Sequence, residues 1–175
     1  MHAGRSAKTV QPEDLFKRLQ ALTQLLPAEL ELHRLLLNLS DPANDERAKD
    51  RYTALIAGGA VEEGLRIAIE NTGNSAPRTF ADKISKAEVL ALVTPDERIE
   101  LNKVRLVRNA FAHALAPISF DDPTILEGTK GLWAHPVSSW SGYFAPVFAP
   151  RDQFAIVCAE FFHSLTQRRP ILQDR

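Results

Sequence analysis

The segment that most constrains this chain is Thr94-Pro95-Asp96-Glu97, which carries the marks of a helix start. Thr94 can accept a bond from the free amides of a first turn, Pro95 fits the first helical position, and Glu97 stands where a capping-box carboxylate belongs. The residues after it keep the helical period. Ile99, Val104, Val107, Phe111 and Leu115, with Leu101 on the margin, give an apolar face that can pack inward. Arg98, Lys103, Arg105 and Arg108 lie among Glu97, Glu100 and Asn102 on a polar, partly basic face. The run ends at Ala116-Pro117, because the residue before proline is driven out of the helical region. His113 therefore falls in the last turn or just past it, where the carbonyl end of a helix favours a protonated imidazole.

The flanking sequence reads as further helices. Residues 1–11 are polar and read as a flexible N-terminus. Pro12 opens a helix over about 12–26, with Leu15, Phe16, Leu19, Leu22 and Leu26 on one side. Pro27 starts a second, leucine-rich helix through Asn38 or Leu39. Asp41-Pro42 reads as the cap of the longest helix, about 42–71, ended by Thr72-Gly73, with Tyr52, Leu55, Ile56, Val61, Leu65 and Ile69 supplying a broad apolar stripe. Gly58-Gly59 in its middle lowers helix stability by ~1 kcal/mol per glycine, so a kink or a close crossing by the charged helix is expected there. Glu62 and Glu63 come directly after. One of them, Glu63 in this reading, is a candidate to face Arg105 or Arg108 across a cleft, with a solvated pair as the default.

Asn74 to Arg78 is a loop by composition. Residues 80–92 then read as a short helix with Ile84, Ala87, Leu90 and Leu92 inward, and Lys83 and Lys86 projecting toward a small positive pocket with Arg105 and Arg108. Ser119-Phe120-Asp121-Asp122-Pro123 reads as a side-chain-capped turn anchored by Phe120. Asp121 and Asp122 are binding candidates, although turn chemistry explains them better than a metal. Residues 127–149 lack helical periodicity and read as a long loop or short irregular hairpin, whose Trp133, Trp140, Tyr143 and Phe144 suit base stacking or a dimer contact but are read first as tying the loop to its own domain. A last helix over about 151–168 buries Phe154, Val157, Cys158, Phe161, Phe162 and Leu165, with His163 near that face, and Pro170 stops it.

Strands are scarcely signalled and no internal repeat is present, so the expected fold is an all-α, single-domain bundle of five or six helices. The domain is placed at 12–169, with 170–175 as a tail. Its 175 residues, 45% of them hydrophobic, suffice for one continuous core. A single cysteine, Cys158, excludes an internal disulfide and a multi-cysteine zinc site, and fits a reducing cytoplasm. No signal-like or membrane-spanning apolar run occurs, so a cytoplasmic protein without membrane contact is expected. A net charge of −1 disfavours broad electrostatic binding to DNA, and no sequence-specific DNA-binding motif is visible.

Residues 81–97, ADKISKAEVLALVTPDE, then RLVRNAFAHAL at 105–115 and ISFDDPTI at 118–125, resemble the mannitol operon repressor family. Arg108-Asn109 followed by three residues and His113, late in a helix, resembles the signature of the HEPN superfamily of small all-α domains. The likeness covers about residues 41–126 well.

The two resemblances imply different activities. Relatives of the mannitol repressor are regulators without an evident DNA-binding domain, which implies action through dimerisation and protein contacts. Many HEPN proteins are metal-independent endoribonucleases whose dimers line one cleft with an Arg and a His from each subunit, which implies Arg108 and His113 as catalytic candidates with Asn109 as their polar neighbour. Both imply a homodimer, and neither a cofactor or metal. The residues suit the nuclease chemistry, since an imidazole can serve as a base near neutral pH and a guanidinium can hold a phosphate. Geometry opposes it within one subunit. Five residues at about 100° each leave Arg108 and His113 roughly 140° apart on a regular helix, so both reach one phosphate only if the helix ends between them or two subunits contribute. The regulatory reading is preferred, with the endoribonuclease as alternative and another regulatory protein or RNA as partner.

Overall fold

A computed structural model describes residues 12–22, 45–130, 132 and 149–168. Among the described residues it is an all-α bundle of six helices without strands: α1 Pro12–Leu22, α2 Glu46–Glu70, α3 Phe80–Val89, α4 Pro95–His113, α5 Pro123–Thr129 and α6 Pro150–Gln167. The expected leucine-rich helix over 27–39, the Asp41-Pro42 cap and the four loop aromatics from Trp133 to Phe144 lie outside the described residues. No helix among those described is long and apolar enough to cross a membrane.

α4 begins as its sequence requires. The Glu97 amide donates to Thr94 Oγ1 at 3.2 Å and the Thr94 amide donates to Glu97 Oε2 at 2.8 Å, a complete capping box. Val104, Val107 and Phe111 are buried, but the inward arc is centred further round than the sequence suggested. Leu101 is fully buried rather than marginal, while Ile99 is 44% and Leu115 38% exposed. Ile99 precedes Leu101 by two residues, about 200° of rotation, so both cannot face the core. Leu115 lies past the end of the helix, where the helical period no longer sets its direction.

α2 packs most extensively on α6 and also meets α4 and α3. It starts at Glu46, where the Asp45 carboxylate caps by accepting from the Arg47 amide, and it ends before Gly73, which takes a positive φ of 79°. Its inward arc is made by Ala54, Gly58, Val61, Leu65, Ala68 and Ile69. Tyr52 and Ile56, expected inside, are instead 42% and 72% exposed. The reason is that small residues carry the packing of this helix, so the largest side chains do not mark its buried face.

α3 buries Phe80, Ile84 and Ala87, and ends earlier than expected, with Leu92 buried beyond it. The Ser119–Pro123 turn forms as read: the Ser119 amide donates to Asp122 Oδ2 at 2.7 Å and Phe120 is 2% exposed. Pro123 then starts α5, a short helix that the sequence reading missed, so residues 127–129 are helical rather than loop. Phe120 stacks between Phe111 of α4 and Phe154 of α6, with ring centroids 4.8 and 5.2 Å away. α6 buries Phe154, Val157, Cys158, Phe161 and Leu165; Phe162 is half-buried and His163 exposed. Burial pushes the Cys158 thiol up, which leaves it inert at neutral pH.

Candidate functional site

The polar residues that matter lie where α4 crosses α2. Gly58 is the crossing point: a Cβ built there would stand 2.7 Å from Cβ and 2.8 Å from Cγ of Arg108. The expected close crossing therefore falls on Gly58, while Gly59 points into open space. Seated against that bare backbone, the Arg108 side chain runs along α2. Its Nη1 donates to Asn109 Oδ1 at 3.1 Å and its Nη2 lies 4.0 Å from Glu62 Oε2. Its Nε is buried with no hydrogen-bond acceptor.

Glu62 holds two cations at once. Lys83, from α3, donates to Glu62 Oε1 at 2.6 Å and to the Arg78 carbonyl at 3.0 Å. Two expectations are corrected by this cluster. Lys83 does not project but is 8% exposed, because α3 docks on α2 through it. Glu63 is not the carboxylate that meets the cations. It faces outward and pairs with Arg66 of its own helix, which holds the Glu63 carboxyl below its ordinary range. The four-residue spacing from Gly58 to Glu62 was the available signal, since it puts both on one face of α2.

Arg105 is half-buried on α4. Its Nε donates to Asn102 Oδ1 at 3.2 Å, and burial lowers the guanidinium's affinity for its proton without threatening its charge. Lys86 is half-buried one turn beyond Lys83. Asp122 is committed to its own turn through the Ser119 amide, and Asp121 is exposed beside it.

His113 is exposed and is the last residue of α4. It does not cap the helix. That role belongs to Arg51, which the sequence reading overlooked: its Nη2 reaches back from α2 to the carbonyls of Ala112 at 3.2 Å and Ala114 at 3.3 Å. Asp50, beside Arg51, accepts from the Phe120 amide at 3.1 Å, and Arg151 Nη1 of α6 stands 3.4 Å from its other oxygen. Desolvation raises the Asp50 carboxyl above its ordinary value, against the lowering effect of these two donors. Residues 50 and 51 thus fix the end of α4 and the turn beyond it.

Because α4 remains helical through His113, the helix does not end between Arg108 and His113. The two lie roughly 140° apart around the axis, and Arg108 is turned toward Glu62. One subunit does not bring guanidinium and imidazole onto a common phosphate; Asn109 and His113, four apart, share a face.

No family model, curated protein or solved structure matches this chain.

Proposed function

We propose that the chain is a regulatory protein of the mannitol operon repressor type, acting through dimerisation and contacts with other proteins rather than through a DNA-binding motif of its own. The observation that carries this reading is the engagement of Arg108. Its side chain packs on Gly58 and points at Glu62 and Asn109, so within one subunit the cation a nuclease would need is held away from His113. Further support comes from the residues that make the family likeness. The turn at 118–125 works as a packing device, with Phe120 buried between two helices and its amide held by Asp50.

The second reading, a metal-independent endoribonuclease, is favoured by one observation: His113 stands exposed at the end of α4, where a second subunit could meet it. One assay separates the two. Purified protein is incubated with single-stranded RNA in chelator, alongside His113→Ala, and its mass in solution is measured. The regulatory reading expects a dimer and no RNA cleavage that depends on His113. Cleavage by the wild type that a folded His113→Ala protein has lost would replace it with the nuclease.

A further inference from the structure

Two cations of α4 have a carboxylate to themselves: Lys103 pairs with Glu100 at 2.7 Å and Arg98 with Glu88 of α3 at 3.0 Å. The turn from Arg105 to Asn109 is different. Arg105 lies three residues before Arg108 and four before Asn109, spacings that make all three neighbours on the helix surface. Glu62 brings Lys83 to the same place, since it takes Lys83 Nζ at 2.6 Å on one oxygen and stands 4.0 Å from Arg108 Nη2 with the other. Among the described residues Arg105 is in no ion pair, so Arg105, Arg108 and Lys83 have the one carboxylate of Glu62 between them. Three cations against one carboxylate leave a surplus of two positive charges. Like charges one turn apart repel, and partial burial strengthens the repulsion.

The hydrogen bonds turn this surplus into a stereochemical preference. Arg105 Nε donates to Asn102 Oδ1 at 3.2 Å and Arg108 Nη1 donates to Asn109 Oδ1 at 3.1 Å, so both amide oxygens are engaged by guanidiniums. Asn102 in turn donates its Nδ2 to the Arg98 carbonyl at 3.0 Å. What the turn has left to offer is donors. Arg105 Nη1 and Nη2 and Asn109 Nδ2 meet no acceptor among the described residues, and none of these nitrogens is sealed from solvent. Arg105 and Asn109 are themselves half-buried, so these donors are held by the helices around them rather than waving from an open surface.

We propose that this turn of α4 binds the phosphate monoester group of a small molecule, held by Arg105 and Asn109 within the field of Arg108 and Lys83. The terminal oxygens of such a group only accept hydrogen bonds, which matches a turn that has only donors to give. Its charge of about −1.5 to −2 near neutral pH also matches the surplus, of which a single carboxylate would offset only half. A nucleic-acid backbone is a poorer occupant, because it needs a track of free cations and the next ones along α4 are taken by Glu88 and Glu100. The site is one phosphate wide. It goes beyond the regulatory reading, which describes the protein by its protein contacts alone, and gives it a small-molecule effector.

The test titrates the full chain with methyl phosphate and follows the phosphorus NMR signal near neutral pH, with ionic strength held constant by sodium chloride. Saturable binding is expected with a Kd on the order of 1 mM or below. Arg105→Gln is expected to weaken it about tenfold or more, as loss of a charge-assisted donor does. Asn109→Asp, which sets a carboxylate beside the site, is expected to weaken it as well. Arg98→Gln removes the same charge elsewhere on α4 and is expected to leave it unchanged. Circular dichroism checks that each variant folds, and Asn109→Asp carries the test if Arg105→Gln does not. No saturation by about 10 mM overturns the proposal. So does equal loss in Arg98→Gln and Arg105→Gln, which reports overall charge, or equal competition by acetate, which reports any anion. Displacement of methyl phosphate by a lower concentration of single-stranded RNA without terminal phosphates also overturns it, and assigns the turn to a nucleic-acid backbone. Loss of the regulatory reading has a separate signature, RNA cleavage that His113→Ala abolishes.

Discussion

A single methyl group distinguishes the two glycines at the centre of α2. At Gly58 it would meet Cβ and Cγ of Arg108 at 2.7 and 2.8 Å, atoms close to the backbone that can retreat only if α4 shifts. At Gly59 it would meet nothing within 4 Å, and alanine is the better helix former. Gly58→Ala is therefore expected to destabilise the fold by about 1–3 kcal/mol, as overpacking does, and to push Arg108 off Glu62. Gly59→Ala is expected to stabilise it by roughly 0.5–1 kcal/mol. Urea denaturation of the two variants checks both, and opposite signs from adjacent glycines are the diagnostic outcome. The sequence announced a close crossing at Gly58-Gly59 but not which glycine carried it. That depends on the rotation of α2 about its own axis, and the axis is set by the small residues Ala54 and Ala68 against other helices.

At the scale of elements, the joint between the start of α4 and the end of α6 is held by charge. Arg168 donates to Glu97, to the Leu92 carbonyl and to Ser164 Oγ at 3.0 Å, so one guanidinium ties three segments. Burial alone would raise the Glu97 carboxyl, but hydrogen bonds from Arg168 and the Thr94 amide outweigh it and hold the group below its ordinary range. A carboxyl depressed in the folded state contributes stability above its unfolded value that is lost as pH falls through the folded one. Glu97→Gln is accordingly expected to lose less stability than wild type between about pH 5 and about pH 3, read from urea midpoints at each pH. Asp50 acts in the opposite sense, since its raised carboxyl favours the folded state as it protonates, but it is common to both proteins and cancels in the difference. Thr94, Pro95 and Glu97 were legible because capping is local chemistry. Arg168 was legible only as a helix-end residue, and its partners across the bundle, 71 and 76 positions away in the chain, were not.

Across the described residues, the all-α class followed from prolines, caps and period, whereas the short helix α5 escaped them and burial by face followed them only in part. Tyr52, Ile56 and Ile99 were read as core because they are large, yet the buried arc of α2 is lined by alanine and glycine as much as by leucine. Residues separated by half the chain join the bundle through Phe120, whose ring contacts Phe111 and Phe154 and whose amide is bound by Asp50. Removing that ring leaves a void shared by α4, α6 and the turn, which their backbones can close only by moving together. Phe120→Ala is expected to destabilise the protein by about 3–5 kcal/mol, a large part of the roughly 5–15 kcal/mol that holds a domain of this size. Ile56→Ala, on the exposed outer face of α2, is expected to change stability by less than about 0.5 kcal/mol. Hydrogen exchange distinguishes a shared void from a local one. In Phe120→Ala the amides at the end of α4 and the start of α6 are expected to lose protection together, because the same ring supports both; loss confined to the turn would mean that the two helices are held independently of it.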